Sequence, residues 1–348
     1  MTNIEIGNHK IGAVESTFVI AEIGVNHNGD EQMARALIDI AKRTGADAVK
    51  FQSFNADRLV EINAATADYQ KTNTGKGNQH DLLRELELSF DAHRRLMAYC
   101  NEVDIVFMSS PFDLESIDFL DELGVHAFKV PSPDCVSSQY LRHMGSKGRP
   151  VILSTGMCDM ADVVYGIETL KAAGSGPVAA LHCTSCYPAP VDQLNLLAME
   201  TMGRVTGVPI GYSDHSSGIA IPIAAVALGA CIIEKHITLD RNLPGPDHSA
   251  SIEEAEFEAM VAAIREVEKA RGTVFKRPQP CEESARQLAR RSLAVKRDLP
   301  AGHRLTREDL ILMRPGDGFS PQIEDVLVGR VLSTAVQAYS LIKPEHLG

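Results

Sequence analysis

The stretch Cys231–Asp240, CIIEKHITLD, decides how the chain is read. An apolar run passes straight into Glu234, Lys235 and His236, and a Pro/Gly-rich loop, RNLPGPDHS (241–249), follows at once. A strand that served only a core has no use for three ionisable side chains at its end, because buried charge is costly without a partner. The same arrangement recurs upstream at FVIAEIG (18–24), AVKFQ (48–52), VFMSSP (106–111), AFKVPS (127–132), PVILSTG (150–156), VAALHCT (178–184) and PIGYSDH (209–215). Helix-like segments separate most of these runs, at 30–44, 81–103, 113–123, 161–173, 194–203 and 218–228. In EQMARALIDIAKRTG, for example, Met33, Leu37, Ile40 and Ala41 share one stripe and Gly45 ends it.

Alternating strand and helix imply a parallel sheet. Eight units in roughly 250 residues match an α/β fold of the (β/α)8 TIM barrel type. An open doubly wound sheet is the alternative, but no G-x-G-x-x-G follows the first strand. In a barrel the C-terminal strand ends build the active site. The polar groups expected to converge there are Glu22, Lys50 and Gln52, Ser109 and Ser110, Lys129 and Ser132, and Ser154 and Thr155. The last three strands add His182 and Thr184, then Ser213, Asp214 and His215, and finally Glu234, Lys235 and His236.

The 348 residues, 44% apolar, suffice for a barrel and a smaller module. A formal charge of −12 argues against general nucleic-acid binding. The charge is uneven: residues 285–348 hold 10 Lys/Arg against 7 Asp/Glu, whereas the whole chain holds 34 against 46. With the Pro-containing stretch GTVFKRPQPCEES (272–284), this divides the chain into a barrel at 1–271, a linker at 272–284 and a C-terminal module at 285–348. Seven scattered cysteines fit a reducing cytoplasmic setting. The N-terminal residues lack a signal pattern, and the longest apolar run, Ile219–Ile233, is broken by Pro222 and Gly229 and is too short to span a membrane. Residues 53–80, long and polar, read as a lid after the second strand.

Two imidazoles on neighbouring strand ends, His215 and His236, can hold a divalent cation with positions left open for substrate, and Asp214 and Glu234 are candidate orienters of their rings. Lys50 and Lys129 can bind the phosphate and carboxylate of an anionic substrate, or one of them can form a Schiff base. Ser132, Ser154 and Ser213 add hydroxyls, Glu22 is a candidate general base, and Tyr187 a candidate acid or positioning group. His27 and Asn28 are candidate substrate contacts or simply turn residues ahead of Asp30 as N-cap. CTSC (183–186) has redox spacing without a thioredoxin context.

The phrases AEIGVNHNGD, AVKFQSF, MSSPFD, ILSTGM, LHCTSCYPAP, GYSDHSSG, EKHITLDRNLPGPDHSAS and RPGDGFSP together resemble the nonulosonate (sialic acid) synthase family, nearly end to end. The resemblance implies a TIM barrel followed by an antifreeze-like SAF domain, and a domain-swapped homodimer. It implies condensation of phosphoenolpyruvate with an N-acetylated amino sugar, with release of phosphate and a requirement for a divalent metal, usually Mn2+. On that pattern His215 and His236 bind the metal, and Glu22, Tyr187 and His236 serve catalysis. Lys50, Gln52, Ser110, Lys129, Ser132, Asp134, Ser154, Ser185, Ser213 and Asp247 bind the substrates, and Arg314 crosses to the sugar's N-acetyl group. Pro133 and Asp134 stand where many members have Gly and Glu, and Ser185 where many have Asn. The expected acceptor is N-acetylmannosamine, giving N-acetylneuraminate; the alternative is 2,4-diacetamido-2,4,6-trideoxy-mannose, giving diacetyllegionaminate. A Schiff-base pyruvate aldolase and a non-catalytic carbohydrate-binding barrel are the rival classes.

Overall fold

The computed structural model describes all residues except 1, 2, 67–70, 72, 76 and 348. Six positions of the expected lid therefore lie outside the described residues. The chain divides into two compact units, Met1–Gly272 and Thr273–Gly348.

The first unit opens with a hairpin, β1 (Ile4–Ile6) and β2 (His9–Ile11), paired antiparallel. Eight parallel strands follow: β3 (Phe18–Gly24), β4 (Ala48–Ser53), β5 (Val106–Pro111), β6 (Phe128–Val130), β7 (Val151–Ser154), β8 (Val178–Cys183), β9 (Ile210–Asp214) and β10 (Ile232–His236). Their spatial order is β5-β4-β3-β10-β9-β8-β7-β6, and β5 and β6, at its two ends, lie against each other and close the ring. Each strand coincides with one of the eight apolar runs. The helical stretch expected at 81–103 is two helices, Gln79–Leu86 and Phe90–Glu102, because Ser89 caps the second by accepting from Ala92 N.

Strand alternation sorts the side chains into two layers. Outward positions such as Val19, Ala21, Val49, Phe51, Phe107, Leu153 and Ile233 pack under the helices. Inward positions, Phe18, Ile20, Ala48, Met108, Ala127, Ile152, Ala179, Leu181 and Ile232, fill the lower barrel, and Ile4, Ile6 and Ile11 of the hairpin plug its floor. Above that apolar fill, the next inward residues are Glu22, Lys50, Gln52, Ser110, Lys129, Ser154, Ser213, Glu234 and His236. The site thus rests on a packed base, as the layered interior of this architecture requires.

The segment after β4 packs on the loop after β3: Phe54, Leu82 and Leu86 form a small apolar cluster with Val25. Asn73 Nδ2 donates to Pro246 O (2.8 Å) and Ser249 Oγ (3.1 Å), which ties this segment to the loop after β10. The second unit has its own core of Leu293, Val295, Leu299, Leu305, Leu310, Leu327, Leu332, Val336 and Ile342, around the antiparallel pair β11 (Ser292–Val295) and β12 (Leu310–Met313). Buried Asp309 is its polar hub, accepting from Arg297, His303 and Thr306. Among the described residues no helix is long and apolar enough to cross a membrane.

Candidate active site

Four charged side chains meet in the inward layer. Lys50 Nζ lies 2.8 Å from Glu22 Oε2 and 3.7 Å from Glu234 Oε2, and donates to Ser110 Oγ (3.1 Å). Lys129 Nζ lies 3.6 Å from Glu234 Oε1 and donates to Ser154 Oγ (2.6 Å). Ser213 Oγ donates to Glu234 Oε1 at 3.0 Å. Glu234 therefore bridges the two lysines rather than orienting an imidazole, as the sequence had suggested. Sequence parity holds the explanation: Glu234 is two residues above inward Ile232 and two below His236, so all three face the barrel axis.

The two carboxyls diverge sharply. Burial pushes the Glu22 carboxyl up to about 7, with Lys50 opposing and the Glu234 charge adding. Burial also raises Glu234, but Lys129 and Lys50 outweigh it and bring the group down to about 2. At neutral pH, Glu234 is thus a fixed anion between two ammonium groups, while Glu22 is poised to hold or release a proton. Burial lowers Lys129, and the Glu234 charge works against that fall. For Lys50 burial acts downward too, but Glu22 and Glu234 prevail and raise it.

His236 and His215 stand beside this cluster with ring centroids 5.6 Å apart, and the Tyr187 ring lies 4.2 Å from His215 and 5.9 Å from His236. Burial lowers both histidines, so both imidazoles are neutral near pH 7. His215 Nδ1 donates to Thr184 O (2.8 Å), which fixes the tautomer with the Nε2 lone pair available. His236 Nδ1 is buried and has no hydrogen-bond partner among the described residues. Neutral imidazoles with unspent nitrogens fit a divalent cation. Among the described residues no set of three or more His, Cys, Asp or Glu side chains converges on a metal position. Two protein nitrogens would therefore carry the ion, leaving the other positions to substrate and water.

Gly24 shows how tightly the groups meet. A Cβ built there would lie 3.2 Å from Glu22 Oε1, 3.4 Å from Gln52 Nε2 and 3.4 Å from His236 Cε1. Gln52 Nε2 itself donates to Glu22 Oε1 at 3.4 Å. Gly156 marks a second nook: a Cβ there would meet Ser185 Oγ at 2.2 Å, Cys183 Sγ at 2.9 Å and Ser132 Oγ at 2.9 Å. Ser132 Oγ accepts from Gly156 N (3.0 Å) and contacts Cys183 Sγ (3.2 Å). Sequence reasoning did not single out Gly24 or Gly156. Their signal was present in the positions themselves, each just past the last inward residue of a strand.

Other expectations resolve differently. Ser109, His182, Asp214 and Lys235 point out of the barrel, because each is one residue out of phase with the inward set. Ser109 Oγ bonds Ser53 Oγ (2.7 Å), itself 3.0 Å from His93 Nε2, and His182 Nε2 donates to Leu194 O (2.7 Å). Asp214 pairs with Lys235 at 2.6 Å and orients neither ring. Asp134, in the short turn Ser132–Val136, is half-buried; burial raises its carboxyl and Ser137 opposes. Among the described residues no hydrogen bond or ion pair joins Asp134 to the lysines. Asp247 is buried in the loop after β10, and burial pushes its carboxyl up to about 6. Arg314, in the second unit just after β12, is exposed. Asp30 caps the helix Glu31–Arg43, accepting from Gln32 N and Met33 N. His27 Nδ1 accepts from Gly29 N (3.0 Å), and Asn28 Nδ2 donates to Pro244 O (2.9 Å). All of the cysteines are free; Cys183 is buried and Cys186 exposed.

Comparison with known proteins sharpens the picture. Residues 37–276 match the NeuB family and residues 290–348 the SAF domain. The chain is 46% identical, over 97% of its length and 96% of the other's, to an N,N'-diacetyllegionaminic acid synthase of Legionella pneumophila. It is 40% identical to a protein of the same name from Campylobacter jejuni, over 95% of this chain and 100% of that one. A crystal structure of an N-acetylneuraminic acid synthetase from Leptospira borgpetersenii superimposes with a TM-score of 0.73 at 34% identity, covering 82% of this chain and 95% of that one.

Proposed function

The chain belongs to the NeuB family, and from that premise we propose that it condenses phosphoenolpyruvate with an N-acetylated amino sugar and releases phosphate. We propose 2,4-diacetamido-2,4,6-trideoxy-mannose as the sugar and N,N'-diacetyllegionaminate as the product. The relatives at 46% and 40% identity carry that name, which favours it over N-acetylmannosamine, the first expectation from sequence. The observation that carries the chemistry is the inward layer itself: two lysines flanked by two carboxyls of opposite proton affinity, beside two neutral imidazoles.

His215 and His236 would hold a divalent cation, expected to be Mn2+, which supplies Lewis-acid polarisation of the open-chain sugar aldehyde. Lys50 and Lys129, with Ser110, Ser154 and the nook of Ser132 and Ser185, would grip the phosphate and carboxylate of phosphoenolpyruvate. Glu234 keeps those ammonium groups charged and in place. A bond forms from C3 of phosphoenolpyruvate to the aldehyde carbon; water adds at C2, and the C–O bond to phosphate breaks. Glu22, bonded by Gln52, would hold or accept the proton that this sequence moves. Tyr187 packs on both imidazoles and would position the sugar with Asp247. Arg314 would reach the sugar's N-acetyl group within a domain-swapped homodimer. Lys50 lies between two carboxyls as a cation, the wrong form for imine chemistry, which disfavours Lys50 as an aldolase nucleophile.

The test is phosphate release from phosphoenolpyruvate with Mn2+ and each sugar in turn. The proposal expects a kcat/KM at least tenfold higher for the diacetamido sugar. Equal or better turnover of N-acetylmannosamine would move the chain to the neuraminate branch, and no phosphate release with either sugar would defeat the synthase reading.

A further inference from the structure

Behind the two imidazoles, on the outer face of the barrel, lies a fully buried ion pair that the proposed reaction does not use. Lys235 Nζ and Asp214 Oδ2 are 2.6 Å apart, and both side chains are completely shielded from solvent. Lys235 Nζ also donates to Ser216 O at 2.5 Å. Asp214 Oδ1 accepts from Ser216 N (3.0 Å) and Ser216 Oγ (2.8 Å). The three residues close a knot in which every charged atom has a partner, the condition for tolerating charge in the interior.

The placement of that knot is informative. Lys235 and Asp214 are register partners across β10 and β9, and β9 ends at Asp214. His215 stands one residue beyond the strand, bracketed by Asp214 and Ser216. Its other anchors come from a different strand's loop: Ala189 N donates to His215 O (2.9 Å), and His215 Nδ1 donates to Thr184 O (2.8 Å). Neither anchor reaches β10, the strand that carries His236. Lys235 does, holding the residues on both sides of His215 from the position next to His236.

We infer that Lys235, Asp214 and Ser216 form a positioning clasp that sets the spacing of the His215 and His236 rings and thereby the affinity of the pair for a divalent cation. The inference rests on the proposal that these histidines hold the metal. A ligand pair drawn from two different strands keeps its bite only if something stiff joins the strand ends, and groups behind metal ligands set affinity by holding their direction.

The experiment is a Mn2+ titration of the metal-stripped full-length protein, following the free ion by electron paramagnetic resonance, with phosphoenolpyruvate affinity measured calorimetrically without metal. Variants are Lys235→Met, the double variant Lys235→Met/Asp214→Leu, which removes both charges and leaves none unpaired, and Ser216→Ala, which keeps both charges. The clasp predicts Mn2+ affinity weakened roughly ten- to a hundredfold in the first two variants, a smaller loss in the third, and phosphoenolpyruvate affinity within about twofold of wild type. Should Lys235→Met not fold, the other two carry the same test. Folded variants that bind Mn2+ as wild type does would overturn the clasp and leave the metal reading standing. Equal losses of Mn2+ and phosphoenolpyruvate binding would also overturn it, marking the knot as general scaffolding. Wild type that binds no Mn2+ would overturn the metal reading, and the clasp with it.

Discussion

Gly156→Ala adds one methyl to the nook of Ser132, Cys183 and Ser185, where we propose that the anionic groups of phosphoenolpyruvate bind. The backbone there lies outside the left-handed region, so alanine meets no conformational objection, and space alone decides the outcome. The new Cβ would sit 2.2 Å from Ser185 Oγ, well over an ångström too close. Ser185 can rotate away, since its hydroxyl is the tip of a short side chain on a loop. Cys183 Sγ and Ser132 Oγ, each 2.9 Å away, cannot retreat as freely: Cys183 is buried on β8, and Ser132 Oγ accepts from Gly156 N itself. Accommodating a methyl in a packed site costs about 1–3 kcal/mol.

The larger effect falls on substrate. If Ser132 and Ser185 bond the phosphate or carboxylate of phosphoenolpyruvate, the methyl displaces at least one hydrogen bond to a charged group. Such a bond contributes roughly 1.5–3 kcal/mol, which at 1.36 kcal/mol per decade is about 10- to 150-fold in KM for phosphoenolpyruvate. The sugar's KM should stay within about threefold. Phosphate release measured while each substrate is varied separates the two, and a thermal melt confirms that the variant is folded. A folded Gly156→Ala enzyme with an unchanged KM for phosphoenolpyruvate would refute the anion nook. Equal rises in both KM values would move the nook to general substrate positioning.

Other expectations can be tested alongside. Chelation should abolish phosphate release and Mn2+ should restore it; turnover that survives thorough metal removal counts against the two-histidine site. Because burial raises Glu22 to about 7, the folded protein keeps a proton that the unfolded chain gives up near pH 4.5. This contribution to stability is full below that pH and fades as pH rises towards about 7. Denaturant titrations at pH 5 and pH 8 should therefore show a smaller fall for Glu22→Gln than for wild type, and the variant's rate profile should lack a one-proton limb near pH 7. Asp309→Ala removes the acceptor shared by Arg297, His303 and Thr306; it should cost about 3 kcal/mol and speed hydrogen exchange within residues 290–348, with little change in the barrel. Borohydride with pyruvate should leave the protein's mass unchanged, since the amines of Lys50 and Lys129 are already engaged.

The eight strands were legible because each buried run is short, is bounded by turn residues and changes character at one end. The floor hairpin was not: Ile4, Ile6 and Ile11 carry too little pattern in three-residue strands to be told from a polar N-terminal stretch. Within the site, residue type alone misled where phase would have decided. Asp214 and Glu234 look equivalent beside His215 and His236, yet one faces the helices and the other the axis. Counting in twos from the apolar floor gives Phe18, Ile20, Glu22 on one strand and Ile232, Glu234, His236 on another, and assigns every inward group. The same count sends Lys235 outward, away from Lys50 and Lys129 inside the barrel. Spacing of period two is thus a stronger guide to a barrel's mouth than the density of polar residues at its strand ends.

That phase rule also accounts for the electrostatics. Glu22 and Lys50 are register partners on β3 and β4, so their pairing is set by the ladder rather than by side-chain choice. Glu234 reaches both Lys50 and Lys129 across the barrel's interior, because all three are inward-facing on their strands. One carboxylate facing two ammonium groups is satisfied as an anion. The second carboxyl then shares a lysine that Glu234 already engages, and burial prevails, which is why Glu22 rises while Glu234 falls. Glu234→Gln should therefore lower Glu22, since removing the competing anion leaves Lys50 to Glu22 alone. A rate profile whose limb moves to lower pH in Glu234→Gln would bear this out; a limb that stays near 7 would show that burial by itself sets the Glu22 proton.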